Sequence, residues 1–436
     1  MRIPKLIAQA TSALAMTALV WAGHANGAEG PVPKGITPLA HVFVIMMENH
    51  AYVQIANNPQ APFINGLMTS ANLATNYFAI GHPSLTNYLE VTGGSNFNNL
   101  SDQYPNWHST SCTPNMLSGM TNVDEAQTSF PSVAGEICPI SGSNGTDANI
   151  PVQDLTNNEG TPPLTNLNGQ VGIPPDTDIV GETIADELVA KHRTWKSYQE
   201  GLPLIGADGV SVSDGFYSIG GDNARGVDIS TDFNLLSTAG NPTSTSDIVY
   251  LYAVKHDPFA YFASVQAGTN PKLSLNQIVA FDGQNGLYSD LRSGKVPNFA
   301  FIAPNQCDDM HGRGNGTAFC QYDADDNGTQ TGLNPTLILQ GDLSVERIVT
   351  AIQASRVWHA GRTAIVLLWD ENDYSTTTSN QVVFLVITNY GKHGIQSSTF
   401  YNHYSLTKTL DAAFRLPCLN HACDSGVEVM SDLFGL

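Results

Sequence analysis

Apolar residues in this chain fall into two rhythms. Some come in short unbroken runs: HVFVIMM at 41–47, NFAFIA at 298–303, TAIVLLW at 363–369 and QVVFLVIT at 381–388. Runs this short and this continuous predict strands buried on both faces. Others recur at helical spacing. Ile184 and Leu188, with Val180 behind them, predict a helix over 179–192. Val345, Ile348, Val349 and Ile352 line one face of a predicted helix over 342–358, with Asp342 as candidate N-cap. A last helix is predicted over 405–416. Buried strands that alternate with helices imply an α/β fold with a mostly parallel sheet covered on both sides.

Between these elements the chain turns polar. Residues 94–178 are rich in Asn, Ser, Gly, Thr and Pro, and 207–247 and 307–334 are similar. They are expected to be loop-rich insertions. No internal repeat is present.

The N-terminus reads as an export signal. Arg2 and Lys5 precede an apolar run at 6–22, and small residues cluster at Ala22, Gly23, Ala25, Gly27 and Ala28. Cleavage is expected near Ala25 or Ala28, which places the protein outside the cytoplasm, secreted or periplasmic. No other run is long and apolar enough for a membrane span, so stable membrane insertion is not expected. The six cysteines fall after this segment. An even number in an exported chain favours disulfides. Of the possible connectivities, neighbour pairs close the shortest loops: Cys112 with Cys138, Cys307 with Cys320, and Cys418 with Cys423.

Charge narrows the partners. With 18 Lys+Arg against 39 Asp+Glu the formal net charge is −21. Such a chain has no general electrostatic route to nucleic acid or to anionic membranes.

The chemistry gathers where strands end. The first run leads into Glu48-Asn49-His50, the second into a segment holding Asp308, Asp309 and His311, and the third into Asp370-Glu371. In open α/β sheets ligands bind outside the carboxyl ends of the strands. Parallel strands would bring these groups to one rim, where crowded carboxylates repel each other unless a divalent cation joins them. Gly81-His82-Pro83-Ser84 opens a predicted helix that ends at Gly93-Gly94. Ser84 is either a cap or a nucleophile; a helix start suits phosphate, and metal coordination would lower the hydroxyl's pKa. His403, before the last helix, is a structural cap, a metal ligand or a phosphate contact. The Asp323–Gly328 stretch resembles half of an EF-hand loop, although its twelfth position is Asn334 rather than Glu. A non-enzymatic calcium-binding protein is therefore the alternative of a different class. His108, His192, His256, His359, His393 and His421 are read as ordinary packing or surface histidines.

Taken together, HVFVIMMENHAY, GHPSLTNYLEVTGG, ETIADELVAKHRTWKSYQEGLP, VKHDPFAYF, VPNFAFIAPNQCDDMHG, AIVLLWDEND and YNHYSLTKTLDAAFRLP resemble the phosphoesterase family of bacterial and fungal acid phosphatases and non-specific phospholipases C, within the alkaline phosphatase superfamily. The resemblance implies a three-layer α/β/α sandwich, with residues 29–436 as one catalytic domain. It implies phosphoryl transfer through a phospho-enzyme, a metal cofactor of one or two divalent ions, and a small phosphate ester as substrate. By position, Ser84 matches the nucleophile, which is also a metal contact. Asn87 matches the asparagine that holds a phosphate oxygen. Glu48, Asn49, Asp370 and Glu371 match metal ligands. Asp309, His311 and His403 fall where the family places metal or phosphate contacts, and the resemblance implies His82 as a further phosphate contact. Two departures stand out. Thr86 replaces a frequent proline, and His50-Ala51-Tyr52-Val53 replaces the run usual in the phospholipase branch. The second favours a phosphatase acting on monoesters, with phospholipase C-like diester cleavage as the runner-up. The Cys/Ser-x-Pro-x-Arg pattern of sulfatases is missing.

Overall fold

The computed structural model describes residues 30–97, 179, 181–203, 251–312, 319–324, 328–372 and 380–435, with short pieces between 207 and 228. The export signal, Cys112, Cys138 and most of the polar insertions lie outside the described residues.

The sheet has eight strands. We number them β1 (His41–Met47), β2 (Asn72–Ala74), β3 (Trp195–Gln199), β4 (Ile278–Ala280), β5 (Phe299–Ala303), β6 (Thr363–Trp369), β7 (Phe384–Thr388) and β8 (Gln396–Ser397). Their order across the sheet is β8-β2-β7-β6-β1-β5-β3-β4. β1 sits in the middle, parallel to both neighbours, with Val42 opposite Phe299 on one side and Ala364 on the other. β7 runs antiparallel to β6 and to β2. A parallel return needs a crossover, usually a helix. The stretch after β6 supplies an acidic pair and a Ser/Thr run instead of an apolar helical face.

Six helices matter for the site: α1 (Pro62–Ser70), α2 (Ser84–Gly93), α3 (Ile184–Ala190), α4 (Leu287–Ser293), α5 (Pro335–Ala354) and α6 (His403–Phe414). Phe299 and Phe301 share one face of β5; they meet Phe414 of α6 and Tyr88 of α2 edge-on. Helices α2, α3 and α6 form that layer, and α1, α4 and α5 form the other. The core strands are buried throughout, as covered sheets require. The architecture is a three-layer α/β/α sandwich.

Three local expectations shift. Helix α3 begins later than periodicity suggests, because Thr183 and Asp186 form a capping box; Ile179 instead bridges to Phe262. Helix α5 begins earlier, at Pro335, capped by Asn334, whose side chain accepts from the Thr336 and Leu337 amides. Asn334 is thus a cap at the position where an EF-hand needs its glutamate. Asp342 lies inside α5 and caps a different helix: its carboxylate accepts the Phe63 and Ile64 amides at the start of α1, at 3.0 and 2.8 Å. Disulfides join Cys307 to Cys320 and Cys418 to Cys423.

Candidate active site

The three central strands deliver their polar ends to one rim. The Glu48 amide donates to the Asp309 carbonyl at 2.8 Å, and the Asp370 amide to the Met47 carbonyl at 2.9 Å. Asp370 Oδ1 accepts the Asn49 and Glu371 amides at 3.1 and 2.7 Å. Asn49 reaches this position with φ of 52°, a left-handed conformation that asparagine tolerates better than most residues.

Ser84 stands in the middle. It is the first residue of α2, and Pro83 takes the cap position before it. Its Oγ lies 3.0 Å from Glu48 Oε2 and 3.2 Å from Glu371 Oε1. One hydroxyl proton therefore faces two carboxylate acceptors. Glu371 Oε2 takes Asn87 Nδ2 at 2.9 Å and lies 2.9 Å from His82 Nδ1. Asn87 also accepts the Ile80 and Gly81 amides and donates to the Gly81 carbonyl. It fixes the turn that presents Ser84 as well as facing the site. Asn380 donates to the same Gly81 carbonyl.

Histidines form the opposite wall. His256 stacks on Tyr88 and places Nε2 3.1 Å from Glu48 Oε1 and Nδ1 3.2 Å from Asp309 Oδ2. Reading histidines one at a time misses it; the signal was its place in VKHDPFAYF, one of the resembling stretches. His311 comes close to the same point, so that Glu48, His256 and His311 each offer a ligand atom within 4.8 Å of the others. His403 is engaged on both sides: Nε2 lies 2.7 Å from the Asp370 carbonyl and Nδ1 2.9 Å from the Tyr77 hydroxyl. Burial lowers its pKa to about 4. Beside Asp309, Asp308 turns away from the site to Arg347.

The charges are crowded. Burial, reinforced by Asp370, holds Glu48 well above the usual carboxylate range. Burial and Glu48 do the same to Asp309, and burial and Glu371 to Asp370. Burial, reinforced by the Lys255 charge, pushes His256 well below the usual imidazole range. A neutral imidazole has one N–H, so one of its nitrogens turns a lone pair toward a carboxylate oxygen. Asn49 Oδ1 and Asp370 Oδ2 are buried with no hydrogen-bond partner among the described residues. A divalent cation would relieve all of these features, and the donors are hard oxygens with imidazole nitrogen nearby, so the residues fit one. Asp370 keeps an oxygen for it, whereas both oxygens of Glu371 hold Ser84, Asn87 and His82.

Comparison with known proteins finds relatives named acid phosphatases. The chain is 23% identical to a phosphate-repressible acid phosphatase of Penicillium chrysogenum over 390 residues, 88% of this chain and 63% of that protein. It is 25% identical to an acid phosphatase of Aspergillus fumigatus over 57% of this chain and 42% of that one. The chain thus spans less than two thirds of the length of these curated relatives. A solved alkaline phosphatase superfamily protein from Vibrio parahaemolyticus overlaps loosely, with 12% identity, a TM-score of 0.40, and coverage of 90% of this chain and 69% of that one. The profile of the Phosphoesterase family matches residues 53–324 and 326–417, and the chain belongs to that family.

Proposed function

We propose that this protein hydrolyses phosphate monoesters through a phosphoserine formed on Ser84. The observation that carries the reading is the Ser84 hydroxyl, buried at a helix start within 3.2 Å of both Glu48 and Glu371. A carboxylate takes the hydroxyl proton as Oγ bonds to phosphorus. The bond from phosphorus to the ester oxygen breaks, and the alcohol departs after gaining a proton. Water then attacks the phosphoserine, releases phosphate and restores Ser84. The positive end of α2 and the Asn87 side chain face the charge that builds on the phosphoryl oxygens. His82 orients Glu371. His256 and His311 line the far wall, and His403 positions Asp370.

Glu48, Asn49 and Asp370, with Asp309 at the edge, would hold a divalent cation, whose charge when bound neutralises the acids and stabilises the developing alkoxide and phosphoryl charge.

Export is part of the proposal. The two disulfides suit an oxidising compartment. No helix among the described residues is long and apolar enough to cross a membrane.

The test is turnover of an aryl phosphate monoester, a diester and a phosphocholine lipid by wild type and by Ser84→Ala. Monoester turnover that disappears in the variant, with a phosphoserine trapped in wild type at low pH, is the expected result. Undiminished activity in the variant removes Ser84 as nucleophile; a marked preference for the lipid moves the assignment to the phospholipase side.

A further inference from the structure

Lys255 has no role in the reading above. It precedes His256 in a short 3-10 turn at Val254–His256, and its side chain is buried down to 9% exposure. Its Nζ lies 3.2 Å from His311 Nε2. An ammonium only donates, so His311 Nε2 accepts. The His311 proton then sits on Nδ1, 2.7 Å from the Gly312 carbonyl. His311 is therefore neutral, with its lone pair turned to the lysine. The Glu48, His256 and His311 group looks by composition like a place for a second metal ion. Here one of its three ligand atoms already faces a positive charge supplied by the chain.

That charge answers a problem of approach. A phosphate monoester is a dianion near neutral pH, and the protein carries a net charge of −21. The rim it must enter presents Glu48, Asp309, Asp370 and Glu371. The Lys255 charge acts on Glu48 and Asp309, as well as on His256, so it is close enough to act on a group bound between them. At this depth, away from water, an ammonium to oxyanion contact is far stronger than on the surface.

We propose that Lys255 binds a phosphoryl oxygen of the substrate and stands in for a second metal ion on the histidine side of the site. The lysine donates a hydrogen bond and transfers no proton. His311 holds the ammonium in place, which makes His311 a positioning residue for it. This inference rests on the phosphomonoesterase reading, and the experiment separates the two.

Inorganic phosphate is the probe. Its binding to the metal-loaded protein is measured by calorimetry and, separately, as competitive inhibition of monoester turnover. Lys255→Met should weaken phosphate binding about a hundredfold and lower kcat/KM by about 10²–10³, the scale for losing one preorganised charge contact. Metal content by elemental analysis should be unchanged, at one ion per chain. Lys255→Arg should recover most of the phosphate affinity. Lys255→Gln keeps a polar tip on a buried stem and serves if the methionine variant folds poorly; it should fall with Lys255→Met. Phosphate binding that is the same in wild type, Lys255→Met and Lys255→Gln overturns the proposal, as does a second tightly held metal ion in wild type. If wild type binds phosphate through Lys255 but turns over no monoester, the monoesterase reading fails and the lysine assignment stands.

Discussion

Two clusters of buried acids lie side by side behind the carboxyl rim, and they are built on opposite plans. Asp308 and Asp309 are consecutive, yet they belong to different ones. Asp308 joins Glu200 around Arg347, whose Nη2 lies 2.9 Å from Glu200 Oε1 and 3.1 Å from Asp308 Oδ2. The same guanidinium donates to Tyr288 and Ser344, while Glu200 Oε2 accepts the Asn305 amide. Asp309 faces the cluster of Glu48, Asp370 and Glu371, where the serine, the histidines and a lysine at the margin stand in place of an arginine. A planar guanidinium locks its carboxylates into a fixed fork. The second cluster keeps a buried Asp370 oxygen that takes no hydrogen bond among the described residues. The first holds the loop that carries Asp309 and His311; the second uses it.

The contrast can be broken in graded ways. The largest effect is expected from Ser84→Ala, which should cost at least about 10³ in monoester turnover with little change in the urea midpoint. A comparable loss of stability would mean that both clusters are structural. Arg347→Met should do the reverse. It leaves two buried carboxylates unmatched and should destabilise the fold by about 3–5 kcal/mol, read from urea unfolding, while the folded fraction stays active.

Asp257 sharpens the picture because it has neither kind of partner. One oxygen accepts the Ser197 hydroxyl at 3.0 Å, the other is buried without a hydrogen bond, and burial lifts its pKa to about 7. The folded state holds its proton more tightly than the unfolded chain does. Its contribution to stability is thus full below about pH 4 and is lost as the pH rises through about 7. Asp257→Asn should flatten that part of the stability profile; an unchanged slope would show that Asp257 is ionised in the fold at low cost.

Removing divalent ions with a chelator should lower the melting temperature, because a cation bound at a hundred times its Kd contributes about 2.7 kcal/mol. Asp370→Asn should reduce that shift, and Arg347→Met should not. The smallest effect is expected far from the rim: Asp342→Ala removes the cap of α1 and should cost about 1 kcal/mol, without touching turnover.

Much of this was legible in the sequence because it depended on local pattern. The unbroken runs of β1 and β6 mark both the strands and the place where Glu48 and Asp370 emerge. Gly93-Gly94 marks the end of α2, and Gly94 is left-handed there. The close cysteine spacings gave two of the three expected pairs; the third lies outside the described residues. What stayed hidden depended on partners remote in sequence. Asp342 looks like a cap for its own helix, yet the amides it serves lie 278 and 279 residues earlier. The direction of β7 depends on how the chain returns from the acidic pair, and an apolar run reads the same both ways. His256 was obscured because a histidine before Asp-Pro carries no periodic signal; its two carboxylate neighbours come from the ends of other strands.

The central position of β1 has a consequence for synthesis. The HVFVIMM segment leaves the ribosome hundreds of residues before its hydrogen-bonding neighbours, β5 and β6. Until they emerge this ribbon has two bare edges and an apolar surface, the combination that invites aggregation. The nascent protein needs shielding until β5 and β6 exist, and the proposed site cannot assemble before then.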